Sequence, residues 1–422
     1  MEMRKTFRVL GALLILAAIF TGCAKKEAKV TWWHIGTADN DKAMNQAFAD
    51  EYMKAHPEVK IEITVLENEA FKTKLTTVMQ SGSPPDIFQT WGGGVLAEYG
   101  KAGMLKDITK SVKGAWYDSM SPAVWGVYSV DGKINAASTD MGCITFWYNK
   151  DLLAKVGYTE FPTDFDDLLA LIQKLKAAKI VPIALGGGDK WPAMHMWSYI
   201  ALRLGGGQLF QDTFSGKNAE GFSNATFVKA AQILADLAKS GAFQEGFLGA
   251  TYGDEGALMG NGQAAMELMG QWAPNVQKDS STTKLGIGDK LGCAPFPAIK
   301  GGIGKVTDLI GGGGGYAVGK NASAAAVDFL KFLTSKESEI KMAQTSGTIP
   351  PVKGAEVGIK DANARLVKAL VDKSTFYQLY LDQFLAPAAG AAVNDAVQTM
   401  LAGTATPEQA CAAIQAAYLA SK

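Results

Sequence analysis

A strand, helix, strand alternation near the start of the chain is the feature that most limits its fold. Residues 30–34 (Val30, Thr31, Trp32, Trp33, His34) form a short β-rich run. Residues 39–56 carry Ala43, Phe48, Tyr52 and Met53 at helical spacing, and residues 59–66 alternate around Ile61, Ile63 and Val65. Phe71, Leu75, Val78 and Met79 mark a further helix. Ser81-Gly82-Ser83-Pro84-Pro85 stops it, and Asp86-Ile87-Phe88 begins the next strand. Such alternation predicts an α/β fold with a doubly wound parallel sheet, whose ligand groups lie in loops at the carboxyl ends of the strands. Those loops hold Trp33-His34, Glu67-Asn68 and Trp91.

A second region of the same kind begins near Met141. It comprises an apolar run at 143–148, a helix at 164–178, a strand at 180–185 and helices around 197–204 and 227–237. Residues 388–420 are alanine-rich and helical, interrupted at 403–407. Neither a repeat nor a long low-complexity linker interrupts the chain. Two lobes would therefore exchange the polypeptide through short crossovers, a geometry suited to hinge closure on a ligand.

At 422 residues the chain has room for two or three domains of roughly 150 residues each. Its 41 basic and 41 acidic residues leave no excess to hold a phosphate backbone, which sets nucleic acid aside as a partner. His34, His56 and His195 are the only histidines, and Cys23, Cys143, Cys293 and Cys411 form no CxxC pair. No zinc site, other metal or cofactor is expected.

Arg4, Lys5 and Arg8 precede a twelve-residue apolar run at 9–20 that ends in Phe20-Thr21-Gly22-Cys23. The run is shorter than the roughly 20 residues a spanning helix needs, and Lys25, Lys26 and Glu27 follow at once. The pattern is that of a cleaved leader, residues 1–22. Small residues before a cysteine resemble the bacterial lipobox, which implies a lipid on Cys23 and a tether at 23–29. Phe20 departs from the leucine that the pattern favours, and a plain secretory signal cut near Ala24 is the alternative. Removing residues 1–22 takes away three basic residues and one acidic, leaving 38 against 40. With Cys23 acylated three cysteines remain, an odd number, so no disulfide framework is expected.

Several landmarks then occur in order. They are Ser83-Pro84-Pro85-Asp86-Ile87-Phe88, Trp147-Tyr148-Asn149-Lys150-Asp151-Leu152-Leu153, the helix and strand at 175–183, Asn261-Gly262-Gln263-Ala264-Ala265-Met266, the glycines at 311–315 and Gly347-Thr348-Ile349-Pro350. Together with the lipobox, this set resembles the extracellular solute-binding proteins of carbohydrate ABC transporters, above all the branch with maltose-binding and raffinose-type multiple-sugar-binding proteins. The resemblance spans essentially the whole mature chain. It implies a two-lobed periplasmic-binding-protein fold of class II type, each lobe a mainly parallel doubly wound sheet flanked by helices, joined by a multi-strand hinge. The landmarks place crossovers near Thr139-Asp140, Phe296-Pro297 and Ile349-Pro350. Lobe one is then 24–139 with 297–348, and lobe two is 140–296 with 349–422.

A pyranose offers an apolar C–H face and a rim of hydroxyls, so its site needs aromatic platforms edged by carboxylates, amides and imidazoles. Asp189, Trp191 and His195 follow the glycine-rich end of the 180–185 strand. Gln271 and Trp272 follow an apolar strand at 264–269, where the resemblance places a stacking tryptophan. Asp140 lies at a crossover, within reach of ligand from either lobe. Trp91 adjoins Gly92 and Gly93, which permit close backbone approach. Tyr380 and Asp382 resemble an aromatic and acid pair used by some members of the family. His34 and Glu67 complete the candidates, whereas Asp86 reads as an anchor of its own strand. Core packing, helix capping or a structural hinge bond is the competing role for each.

Residues 314–321 nearly fit a P-loop, but Asn321 stands where a magnesium-binding hydroxyl is required. The glycines at 311–315 read instead as backbone passing close to ligand or hinge. No catalytic residue is assigned. The resemblance implies capture of a carbohydrate, a di- or oligosaccharide, and delivery to the membrane permease of an importer whose separate ATPase supplies the energy. It also implies a monomer exported to the bacterial envelope, lipid-anchored on the outer face of the cytoplasmic membrane or in the periplasm. The alternatives are a non-sugar solute (polyol, peptide or phosphodiester), a secreted glycoside hydrolase with paired carboxylates, or a structural lipoprotein.

Overall fold

The computed structural model describes residues 27–422, so the leader, Cys23 and most of the tether lie outside the described residues. The chain first runs through β1 (Ala28–His34), α1 (Asp39–Ala55), β2 (Val59–Val65), α2 (Asn68–Gln80), β3 (Ile87–Thr90), α3 (Gly93–Lys101) and β4 (Ala136–Ser138). It then crosses. The second lobe receives β5 (Gly142–Cys143), β6 (Thr145–Asn149), α4 (Phe165–Ala177), β7 (Val181–Ile183), α5 (Trp191–Ser215) and α6 (Ala225–Lys239). α7 (Tyr252–Gly260), β8 (Ala264–Met269), α8 (Ala273–Ser280), β9 (Leu291–Ala294) and β10 (Asp308–Gly312) follow. The chain returns as β11 (Gly315–Val318), α9 (Ala324–Leu333) and α10 (Lys336–Ser346). It ends on the second lobe with α11 (Ala362–Asp372), β12 (Phe376–Leu379), α12 (Leu381–Phe384), α13 (Pro387–Leu401) and α14 (Pro407–Ala420).

Lobe one is built on a five-stranded sheet of order β2-β1-β3-β11-β4. β1 pairs parallel with β2 and β3, and β11 runs antiparallel to β3 and β4. Val30, Trp32 and His34 point inward from β1 at the two-residue period of a strand. α1 lays Phe48, Ala49 and Tyr52 on one face. Phe329 of α9 meets Trp32 edge to face at 5.2 Å, which closes this core. The Asp86 carboxylate accepts the Thr31 amide (2.9 Å) and hydroxyl (2.8 Å), anchoring its strand.

Lobe two has a four-stranded sheet of order β9-β6-β8-β7. β6 is antiparallel to both its neighbours, and only β8 and β7 pair parallel. The sheet is thus mixed, where a mainly parallel one was expected. The apolar run at 143–148 enters from the hinge, and that entry sets the direction of β6. Leu171, Leu175, Trp197, Tyr199 and Phe227 fill the core beside it, each fully buried side chain contributing roughly 1.5–3 kcal/mol.

The crossings also differ from expectation. The buried Arg203 donates to the carbonyls of Phe296 (3.2 and 3.0 Å) and Asp308 (2.8 Å). Those bonds hold residues 297–308 on lobe two, and β10 pairs with β12 and β5 in a three-stranded hinge sheet. The return crossing is therefore at 312–315, not at Phe296-Pro297. Residues 352–358 likewise remain with lobe one, because Val352 and Ala355 join its core and Lys353 N–H donates to Ser119 O at 2.9 Å. At the hinge, Met141 N–H meets Ile349 O (2.8 Å) and Thr139 N–H meets Gly314 O (2.9 Å). A Cβ on Gly313 or Gly315 would strike the carbonyls of Asp140 or Ala137. That is the close approach anticipated for the glycine run, and β11 occupies the middle of the P-loop near-match.

Candidate functional site

A cavity of about 270 Å³ lies between the lobes beside the crossings. Trp191, at the N-terminus of α5, stands edge to face with Tyr252 of α7 at 4.9 Å and 6.5 Å from Trp272, which precedes α8. Trp272 in turn meets Tyr380 edge to face at 6.0 Å. His195, one helical turn beyond Trp191, lies 5.3 Å from the Tyr380 ring. These rings form one continuous wall on lobe two. Burial pushes the His195 imidazole down to about 4, so it faces the cavity neutral at pH 7.

Lobe one presents Trp91, the exposed Glu67 and the polar side chains Asp41, Asn45 and Lys72 to the same cavity. Lys72 Nζ lies 3.3 Å from Asp382 across the cleft, 2.9 Å from Glu69 and 5.8 Å from the Trp91 ring centre. Burial alone would lower the Lys72 pKa, but Asp382 and Glu69 outweigh it and hold the ammonium above its ordinary value. On another side of the cavity Asn275 exchanges hydrogen bonds with Asn40 (2.5 and 3.0 Å) and donates to Asp41 at 3.1 Å. The lobes therefore touch each other around the cavity.

Asp140 joins the crossings to the site. Its Oδ1 accepts Ile349 N–H at 2.7 Å and its Oδ2 accepts the Gln271 amide at 2.5 Å. Burial pushes its carboxyl up to about 7 against those two bonds.

The structure thus brings Glu67, Trp91, Asp140, Trp191, His195, Trp272, Tyr380 and Asp382 together around one cavity. Three other candidates stand behind its wall. Asp189 accepts the Tyr252 amide at 2.8 Å and so caps α7, in an adjoining recess that shares Lys72, Trp91 and Asp382 with the cavity. Gln271 is buried against Asp140. His34 is turned into the lobe-one core, its Nδ1 accepting Gly36 N–H at 3.2 Å, with Asn45 between it and the cavity. Tyr252, Lys72, Asn45 and Asn275 line the cavity without having been singled out from sequence. Tyr252 carried the clearest missed signal, an aromatic opening a helix within the Thr251/Asp254 capping box.

Lys72 is the only lysine or arginine that lines the cavity among the described residues, and two carboxylates already engage it. The arrangement suits a neutral ligand with an apolar face and a hydroxyl rim, and it offers no free cation to a phosphate. No group of three or more potential metal-ligating residues occurs among the described residues.

Comparison with known proteins agrees with this architecture. The chain is 27% identical over 347 residues to a probable sugar-binding periplasmic protein of Mesorhizobium japonicum, covering 81% of this chain and 80% of the relative. It superposes with a TM-score of 0.86 and 29% identity on a protein from a study of xylan utilization by Caldanaerobius polysaccharolyticus, over 92% of this chain and 99% of the other. A chitin oligosaccharide binding protein gives a TM-score of 0.84 at 25% identity, over 94% and 99%. Residues 36–340 match the bacterial extracellular solute-binding proteins, and the chain belongs to that family.

Proposed function

We propose that the protein is the substrate-binding component of an ABC importer and captures a di- or oligosaccharide between its lobes. The observation that carries this reading is the wall of Trp191, Tyr252, Trp272 and Tyr380 facing Trp91 across a cavity edged by Asp140, Asp382 and Glu67. Rings of this kind stack on the C–H faces of sugars, and the carboxylates accept hydroxyl protons. The sugar-binding names of its relatives support the same class of ligand. Asp189, Gln271 and His34 act through neighbours that line the cavity, without touching sugar.

Capture begins on the lobe-two wall, and the polar groups of lobe one close over the exposed side of the ligand. Ligand that contacts both lobes favours the closed form by its difference in affinity for the two states. Asp140, bonded both to Ile349 at the hinge and to the residue before Trp272, connects occupancy to hinge position. The closed monomer then docks on the permease, one lobe to each side, and catalyses nothing itself. A lipid on Cys23 after removal of residues 1–22 keeps it at the membrane surface, and Cys23→Ser would release it from the detergent phase.

Thermal shift against xylo-, chito- and malto-oligosaccharides, with polyols, peptides and phosphodiesters alongside, tests the reading, followed by calorimetry on each hit. Binding to the folded state raises the midpoint by mass action. A shift with one oligosaccharide series is expected. A shift confined to a peptide or phosphodiester would sink the carbohydrate assignment, and consumption of the sugar would make the protein a hydrolase.

A further inference from the structure

Behind the aromatic wall two glutamates face each other with no cation paired to either. Glu255 of α7 and Glu267 of β8 are both fully buried. Glu255 Oε2 accepts Gly186 N–H at 2.6 Å and Glu267 Oε1 accepts the Gln277 amide at 2.7 Å. Their remaining oxygens, Glu255 Oε1 and Glu267 Oε2, lack a donor, although the two carboxyls are in hydrogen-bonding contact with each other. The titratable groups that face them are the Tyr252 hydroxyl, which lies against Trp272, and Asp189. Two carboxylates this close and this dry cannot both ionise. One proton between them satisfies both orphan oxygens in a single charge-assisted bond.

The pair lies where the wall is assembled. Gly186 opens the glycine turn that leads to Trp191, Gln277 belongs to the helix that follows Trp272, and Glu255 shares α7 with Tyr252. α7 and α8 pack so closely that a Cβ on Gly260 would strike the Gln277 carbonyl. We propose that Glu255 and Glu267 share one proton and thereby fix the spacing of Trp191, Tyr252 and Trp272, acting as positioning residues for the ligand wall. Loss of that proton sets like charges between the elements carrying the wall and spreads them. Burial raises both groups and Glu267 raises Glu255 further, so the pair keeps the shared proton through neutral pH and loses it only on the alkaline side. The idea rests on the wall being the ligand surface, but its test needs no ligand.

The test uses the empty protein in an Asp140→Asn background, which removes the other cleft carboxyl raised to about 7. Tryptophan emission and the infrared carboxylic acid band are followed as pH rises from neutral into the alkaline range. The parent should lose a carboxylic acid band as its emission shifts, and Trp272→Phe should remove most of the emission change. Glu267→Gln and Glu255→Gln each supply an amide donor in place of the proton, so both should stay folded and lose both pH-dependent signals. An acid band that titrates unchanged in both glutamine variants would overturn the shared proton. An emission shift that persists in them would overturn the positioning role. Neither result would depend on whether the sugar panel yields a hit.

Discussion

The two faces of the cleft are built differently. Lobe two presents aromatic rings locked edge to face, and even its histidine is only 2% exposed. Lobe one presents a single half-buried tryptophan, an exposed Glu67 and the polar side chains Asp41, Asn45 and Lys72. The first face is ordered before ligand arrives, so stacking on it costs little conformational entropy. The second closes over whatever the first has accepted. Affinity should therefore be concentrated on lobe two, and closure and discrimination on lobe one.

Trp272→Ala should break this contrast most severely. It should weaken the best oligosaccharide at least about tenfold, roughly 1.4 kcal/mol, by calorimetry, and leave the midpoint of the empty protein unchanged. Loss of stability without loss of affinity would make Trp272 a packing residue. Lys72→Met removes the cation from the interlobe pair and should weaken binding about threefold to tenfold. Stopped-flow should place that loss in the closing step. Asn275→Ala cuts the other interlobe contact and should cost about twofold to threefold, since neutral hydrogen bonds contribute roughly 1 kcal/mol or less net.

A separate prediction, on stability and not on affinity, concerns Asp140. Its carboxyl is raised by burial from 3.8 to about 7, so the folded state holds a proton that the unfolded chain releases. The stability it contributes is complete below the unfolded value and is lost as pH rises to about 7. Thermal midpoints of Asp140→Asn should accordingly fall less across that range than those of the parent. Equal slopes would show that Asp140 ionises normally in the fold.

The alternation around Val30, Phe48 and Ile61 made lobe one legible because each element buries one face at its own period. The aromatic wall was legible for a related reason, since Trp191 and Trp272 follow strands whose ends open on the cleft. His34 could have been set aside from the same periodicity, because it shares a face with Val30 and Trp32 and must enter the core with them. The crossing at 312–315 was hidden, since it depends on Arg203 reaching carbonyls about a hundred positions away in the chain. The roles of Asp189 and Gln271 were hidden in the same way. A carboxylate or amide near a cleft can face the ligand or hold the wall, and only the long-range partner decides.

The position of β11 bears on how the protein is made. It lies between β3 and β4, one strand in from the edge of the lobe-one sheet, and Phe329 and Leu330 of α9 complete the core beneath it. A chain that emerges N-terminus first has synthesised nearly all of the second lobe's sheet before those residues exist. Pairings so remote in sequence form slowly, because loop closure has to precede the contacts that reward it. The strand order therefore makes completion of the first lobe depend on residues that follow the whole sheet of the second.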